Sequence, residues 1–215
     1  MLSRVTALVT GASLAACSVV GIRETEEPGY RVIDRVGRVE VREYGPRIAA
    51  ETSVPGGEMG ARSTGFRRLA GYIFGDNRPR EKIAMTAPVA QSGDAKKETI
   101  AMTAPVAQSN GGSGGGTGPW TIRFFMPANY TMATLPEPAN PAVKLVEVPG
   151  ETVAVLRYAG STAPETVAAK QDELTRALRT GAWQAVGAPV TWFYDPPWTL
   201  PPFRRTEAVV VVSRR

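Results

Sequence analysis

The chain spells out the same order of secondary structure twice, and that order leaves few folds open. Val39-Glu40-Val41 and Val146-Glu147-Val148 each open an alternation of apolar and polar residues. Each is followed by a turn, a second strand-like segment and an amphipathic helix ending at a glycine, Gly75 or Gly181. Successive side chains of a strand point to opposite faces, so such alternation marks half-buried antiparallel strands. In the first half, Gly45-Pro46 makes the turn and Arg47 to Val54 puts Ile48, Ala50, Thr52 and Val54 on one face. Pro55-Gly56-Gly57 breaks that strand. Phe66, Leu69, Ala70 and Ile73 then form the buried stripe of a helix, with Arg62 and Arg67 off it. Further strands follow, with Trp120, Ile122, Phe124 and Met126 on one face. In the second half, Val143–Val148 and Thr152–Tyr158 read as a strand pair turning at Pro149-Gly150. Pro164 opens a helix whose buried stripe is Val167, Gln171, Leu174 and Leu178, and the last strands are Val190–Tyr194 and Glu207–Val212. The expectation is an α+β domain over 31–215, built from two pseudo-repeats at about 31–127 and 143–215. Each is a strand-strand-helix-strand unit. Together they form a distorted open antiparallel β-barrel flanked by two helices, with the inter-repeat cleft as the natural ligand site.

A second, local duplication lies inside the first half. The ten residues Ile83 to Ser92 recur unchanged as Ile100 to Ser109, seventeen positions later. Proline cannot donate to a ladder, so each copy is expected to be a short strand ending near Pro88 or Pro105, the two forming a long hairpin. The Gly-rich run 110–118 lacks the following helix and Lys-Ser/Thr of a phosphate cradle, and reads as a flexible loop.

At the N-terminus, Arg4 precedes an uncharged apolar run from Val5 to Ala16, too short to span a bilayer and of signal-peptide length. It ends in Leu14-Ala15-Ala16-Cys17, which resembles a bacterial lipoprotein signal with Cys17 as the acylated residue. On this reading 1–16 is removed, and Cys17 anchors the protein through a tether, 17–30. By resemblance to enterobacterial lipoproteins, Ser18 rather than Asp after the cysteine implies the periplasmic face of the outer membrane over the inner. The net charge of +5, or +4 without Arg4, comes from arginines spread along the chain rather than from a basic run, which argues against nucleic-acid binding. With no histidine and no second cysteine, Ser-His-Asp, Cys-His and His-rich metal arrangements are excluded. Asp172 and Glu173 are neighbours on a helix and do not face each other. The chain is read as a binding protein without catalysis of its own, acting as a monomer.

Several stretches resemble the SOUL haem-binding family. They are Val39-Glu-Val-Arg-Glu-Tyr44, Gly65-Phe66 with Leu69, Tyr72-Ile73 and Gly75, Lys82-Ile-Ala-Met-Thr-Ala-Pro-Val89, Phe125-Met-Pro127, and Tyr194 to Pro201 with Arg204-Arg205. The resemblance implies the duplicated barrel fold, shared with gyrase-inhibitor-like effector-binding domains, and binding of haem or a related tetrapyrrole. A histidine axial ligand is impossible here, which leaves methionine and tyrosine as ligand types. Met85 and Met102 are candidates, although methionine in an apolar strand also serves as core filling. On the family pattern, Met59 and Phe66 would meet the porphyrin, with Arg62 and Arg67 toward its propionates. The alternative is a lipoprotein of the same fold that binds another small hydrophobic ligand, or serves as a structural or interaction module.

Overall fold

The computed structural model describes residues 25–78, 99–110, 119–196 and 198–215. The signal segment, Cys17, the first copy of the local repeat with Met85, and the Gly-rich run 111–118 lie outside them. The described residues form two compact units, one of Arg31–Glu43 with Thr152–Arg215, the other of Glu26–Tyr30 with Tyr44–Glu151.

The first unit contains β1 (Tyr30–Val36), β2 (Val39–Tyr44), β9 (Glu151–Tyr158), α2 (Pro164–Ala177), β10 (Trp183–Ala185), β11 (Val190–Phe193) and β12 (Thr206–Arg214). Its sheet order is β1-β2-β9-β12-β11, with β10 also paired to β12. The break between β1 and β2, unmarked in the sequence reading, is a turn at Gly37, whose φ of 58° suits glycine. Helix α2 packs Val167, Leu174 and the following Leu178 inward. Gln171, the fourth member of the expected stripe, is half-buried and donates from Nε2 to Thr191 Oγ1 at 3.0 Å. The core joins Leu174 and Leu178 to Val39, Val41, Leu156, Trp183 and Val210.

The second unit contains β3 (Arg47–Val54), α1 (Glu58–Ile73), β4 (Asn77–Arg78), β5 (Val106–Asn110), β6 (Trp120–Phe125), β7 (Glu137–Pro138) and β8 (Val143–Val148). Its main sheet runs β5-β6-β3-β8, and β4 pairs separately with β7. Leu69, Tyr72 and Ile73 of α1 pack with Ala50, Val54, Ile122 and Phe124 of the sheet and with Ile100 and Leu135. All the pairings within this main sheet are antiparallel. Neither unit's sheet closes on itself. The fold is α+β, and the two strand orders correspond: β2-β9-β12-β11 in one unit, β8-β3-β6-β5 in the other.

The order differs from the sequence reading in one respect. Val143–Val148 does not pair back on β9; it pairs with β3, Arg47 opposite Val148, while β9 pairs with β12. The strand before each Gly-Pro or Pro-Gly linker therefore lies in one unit and the strand after it in the other. A two-residue hairpin needs positive φ at its first central residue. Proline cannot supply that at 149, and neither Gly45 nor Gly150 adopts it. Gly150 instead lies so close to the other linker that a Cβ there would stand 3.1 Å from the Tyr44 carbonyl oxygen.

The second copy of the local repeat also differs from expectation. Its strand begins after Pro105 rather than ending at it, and pairs with β6, Val106 opposite Phe124. Thr103 makes only an isolated parallel bridge to Glu26. The expected tether is accordingly fixed at Glu26, whose carbonyl accepts from Ala104 N at 2.9 Å and whose Oε1 accepts from Ala128 N at 2.9 Å.

Candidate functional site

Helix α1 presents two unlike faces. Ala61, Gly65, Leu69, Tyr72 and Ile73 are buried. At Gly65 the helix lies so close to β6 that a Cβ would stand 2.7 Å from Ile122 Cγ1. Tyr72 donates its hydroxyl to the Pro136 carbonyl at 2.8 Å, and Asn77 Nδ2 donates to the Tyr72 carbonyl at 2.8 Å. At the start of the helix, Gln108 Nε2 donates to the Glu58 carbonyl at 3.1 Å and Trp120 Nε1 to the Gly56 carbonyl at 3.1 Å. At its end Gly75, with φ of 118°, lets Asp76 N donate to the Gly71 carbonyl at 2.8 Å, the closing bond of a glycine-terminated helix.

Beside the buried face runs a strip with exposed apolar side chains. Met59 is 58% exposed, Phe66 37% and Phe74, directly after the helix, 61%. With Ala70 and the exposed Ser63 they fall within an arc of about 80° at 100° per residue. Phe66 was expected in the buried stripe; it sits at its margin, its ring edge-on to Phe124 with centroids 5.3 Å apart. Arg62, half-buried, and Arg67, exposed, flank this strip on opposite sides. Arg68 instead turns to the sheet, where Nη1 donates to Thr52 Oγ1 at 3.4 Å and the Ser53 carbonyl at 3.3 Å. The structure thus brings Met59, Arg62, Phe66 and Arg67 together on one helix. Met102 is not on this helix; it is half-buried against the core that Leu69, Tyr72 and Ile73 also line. Phe74 was missed in the sequence; its signal was an aromatic eight positions after Phe66 and next to the terminating glycine.

A second constellation occupies the first unit. Glu207 is fully buried and receives two guanidinium bonds from Arg42, at 2.9 and 3.2 Å. Arg205 adds bonds at 3.0 and 2.9 Å, and the Tyr194 hydroxyl donates to it at 2.7 Å. The Arg205 guanidinium carbon lies 3.7 Å from the Tyr194 ring centroid. Arg42 also donates from Nε to Glu40 at 2.9 Å. Burial raises the Glu40 carboxyl, but the hydrogen bond and charge of Arg42, together with Arg35, outweigh it and hold Glu40 below the usual carboxylate range. Glu207 and Glu40 are thus each held by arginines, as buried carboxylates require, and the cluster reads as structural. Among the described residues no group of three or more His, Cys, Asp or Glu converges as metal ligands do.

The chain matches the family described as SOUL heme-binding protein over residues 25–211. Human Heme-binding protein 2 is 41% identical over 69 residues, a match covering 30% of this chain and 34% of that protein. Among solved structures, the EcmrR C-terminal domain is similar with a TM-score of 0.53 at 9% identity, over 86% of this chain and 99% of that one. EcmrR in its cryo-EM complex with DNA gives 0.57 at 10% identity, over 82% of this chain and 57% of that one. An uncharacterized conserved protein from Listeria innocua gives 0.51 at 15% identity, over 82% and 92%. At such identities these structures share the fold alone. The family match embraces both helices and all but the end of the last strand, and on that basis the chain belongs to the SOUL heme-binding protein family.

Proposed function

We propose that this protein binds haem or a related tetrapyrrole on the exposed face of α1, and that it does so as a lipid-anchored protein of the bacterial cell envelope. The observation that carries the reading is the apolar strip of Met59, Phe66 and Phe74 with Arg62 and Arg67 beside it. A porphyrin is a flat apolar ring with two carboxylates at one edge. Aromatic and thioether side chains suit the ring, and guanidinium groups suit carboxylates. The chain has no histidine for the iron, and the soft donor on this face is the Met59 thioether. Recognition therefore rests on the ring and its propionates. Bound haem would supply the redox and ligand chemistry of its iron; α1 would hold and orient the ring. The role is sequestration or transfer, with no catalytic step of the chain's own, and acylated Cys17 would keep it at the membrane.

The absence of histidine also favours a second reading, in which the same strip takes another flat hydrophobic ligand. Titration of the Cys17→Ser chain with hemin, against an albumin control, separates the two. The expected result is a saturable Soret shift, weakened about tenfold or more by Arg62→Glu with Arg67→Glu, equivalent to at least about 1.4 kcal/mol. An absent shift, or one that the double substitution leaves unchanged, overturns the haem reading. Palmitate incorporation that disappears in Cys17→Ser is the matching outcome for the anchor.

A further inference from the structure

We infer that the place in the second unit filled by residues 100–109 is equally a seat for residues 83–92, so that the two copies are alternative occupants of one position in the sheet. Ile100 is fully buried in the core and donates its backbone N–H to the Ile73 carbonyl at 2.8 Å. Thr103, also buried, donates its hydroxyl to the Phe125 carbonyl, and Ala104 N donates to the Glu26 carbonyl at 2.9 Å. Val106 to Ser109 pair with Phe124 to Thr121 of β6. Gln108, 2% exposed, donates to the Glu58 carbonyl at 3.1 Å.

Each of these residues has its twin in the upstream copy, at the same spacing: Ile83, Thr86, Ala87, Val89 to Ser92 with Gln91. The copies first differ at their flanks, Lys82 against the exposed Thr99, and Gly93 against Asn110 at the end of β5. These contacts therefore do not distinguish one copy from the other.

The chain can make the exchange. Ile73, whose carbonyl anchors the seated copy, is five steps before Arg78, and Ile83 is five steps after it. A leg of five steps reaches at most about 18 Å. The outward leg is shortened by the turn in which Asp76 N bonds the Gly71 carbonyl, so a leg of five steps has the reach to return. Seating the upstream copy would shorten the connection 79–99 to 79–82 and lengthen 110–119 to 93–119. Loop closure varies with the logarithm of length, and these two changes act in opposite senses.

The test uses the full chain carrying Cys17→Ser. Ile83→Asp and Ile100→Asp, each alone, are expected to keep a cooperative urea transition, and only the double variant to lose it. Deletion of 83–99, which leaves a single copy, is expected to fold. Cysteines introduced by Ala90→Cys or Ala107→Cys report occupancy, and in the Ile100→Asp background the thiol at 90 should react at least about tenfold more slowly than in denaturant. Loss of folding in Ile100→Asp with no effect of Ile83→Asp, or the reverse, overturns exclusive interchange, as does a double variant that still folds. Protection at 90 found only in a concentration-dependent dimer also overturns it, by assigning the seat to a copy from another chain.

Discussion

Glu207 concentrates much of what holds the first unit. A carboxylate taken wholly out of water is tolerated only when it is paired and its lone pairs are filled, and Arg42, Arg205 and Tyr194 do both. Glu207→Leu leaves the buried Arg42 and the part-buried Arg205 guanidinium groups without that partner and is expected to cost about 3–5 kcal/mol in urea unfolding. The motifs around Val39–Tyr44 and Arg204-Arg205 were legible as family marks, but this role was not. The alternation of β2 sends Arg42 to the solvated side, yet the residue is 3% exposed, because its partner lies 165 positions away and nothing local announces it. The carboxyls of Asp34, Glu173 and Glu40 are held below their ordinary range. Asp34 is lowered by the Trp183 indole and Arg35 backbone N–H groups, Glu173 chiefly by the Lys170 hydrogen bond, and Glu40 by Arg42 and Arg35 against its burial. As pH falls, the unfolded chain takes up these protons first. Stability is therefore expected to hold from pH 7 to about 5 and to fall below about pH 4. A urea midpoint followed across that range checks it, with a shallower fall expected in Glu40→Gln.

At the scale of elements, α1 is defined by what its two faces touch. Gly65 permits the close approach to Ile122, so Gly65→Ala must push the helix off β6 or displace that side chain. The expected loss is about 1–3 kcal/mol in chemical denaturation, with helical dichroism retained. Met59→Glu changes a side chain that is mostly exposed, in the first turn of the helix, where a carboxylate is favoured. It is expected to leave the melting midpoint in place while weakening hemin binding, which separates a binding face from a structural one. Periodicity located this helix and its glycine end, but placed Phe66 within the buried stripe. A wheel gives direction without depth, and the depth at Phe66 is set by Phe124 of β6. Strand pairing was less legible still. Alternation marked both strands beside each proline-containing linker, but the first linker turns on the φ of Gly45, which residue type does not dictate, while at the second the ring of Pro149 excludes the hairpin.

For the molecule as a whole, the repeated order of elements written in the sequence reappears as the repeated strand order of the two units. That much was readable because burial imposes period on sequence. The candidate site was readable only in part. Met59, Arg62, Phe66 and Arg67 share a helix, so spacing alone could group them, while Phe74 depends on how the helix ends and Met102 on how the segment before β5 packs on the core. If the ring and its propionates are what α1 recognises, metal-free protoporphyrin IX is expected to bind within about threefold of hemin, a difference of about 0.7 kcal/mol or less. Fluorescence titration of the free porphyrin measures it. The most direct examination is backbone amide NMR of the Cys17→Ser chain during hemin addition. Paramagnetic broadening is predicted to begin along α1 and Phe74, from Met59 onward. Broadening that spares α1, or a spectrum unchanged by excess hemin, would contradict the proposed binding face.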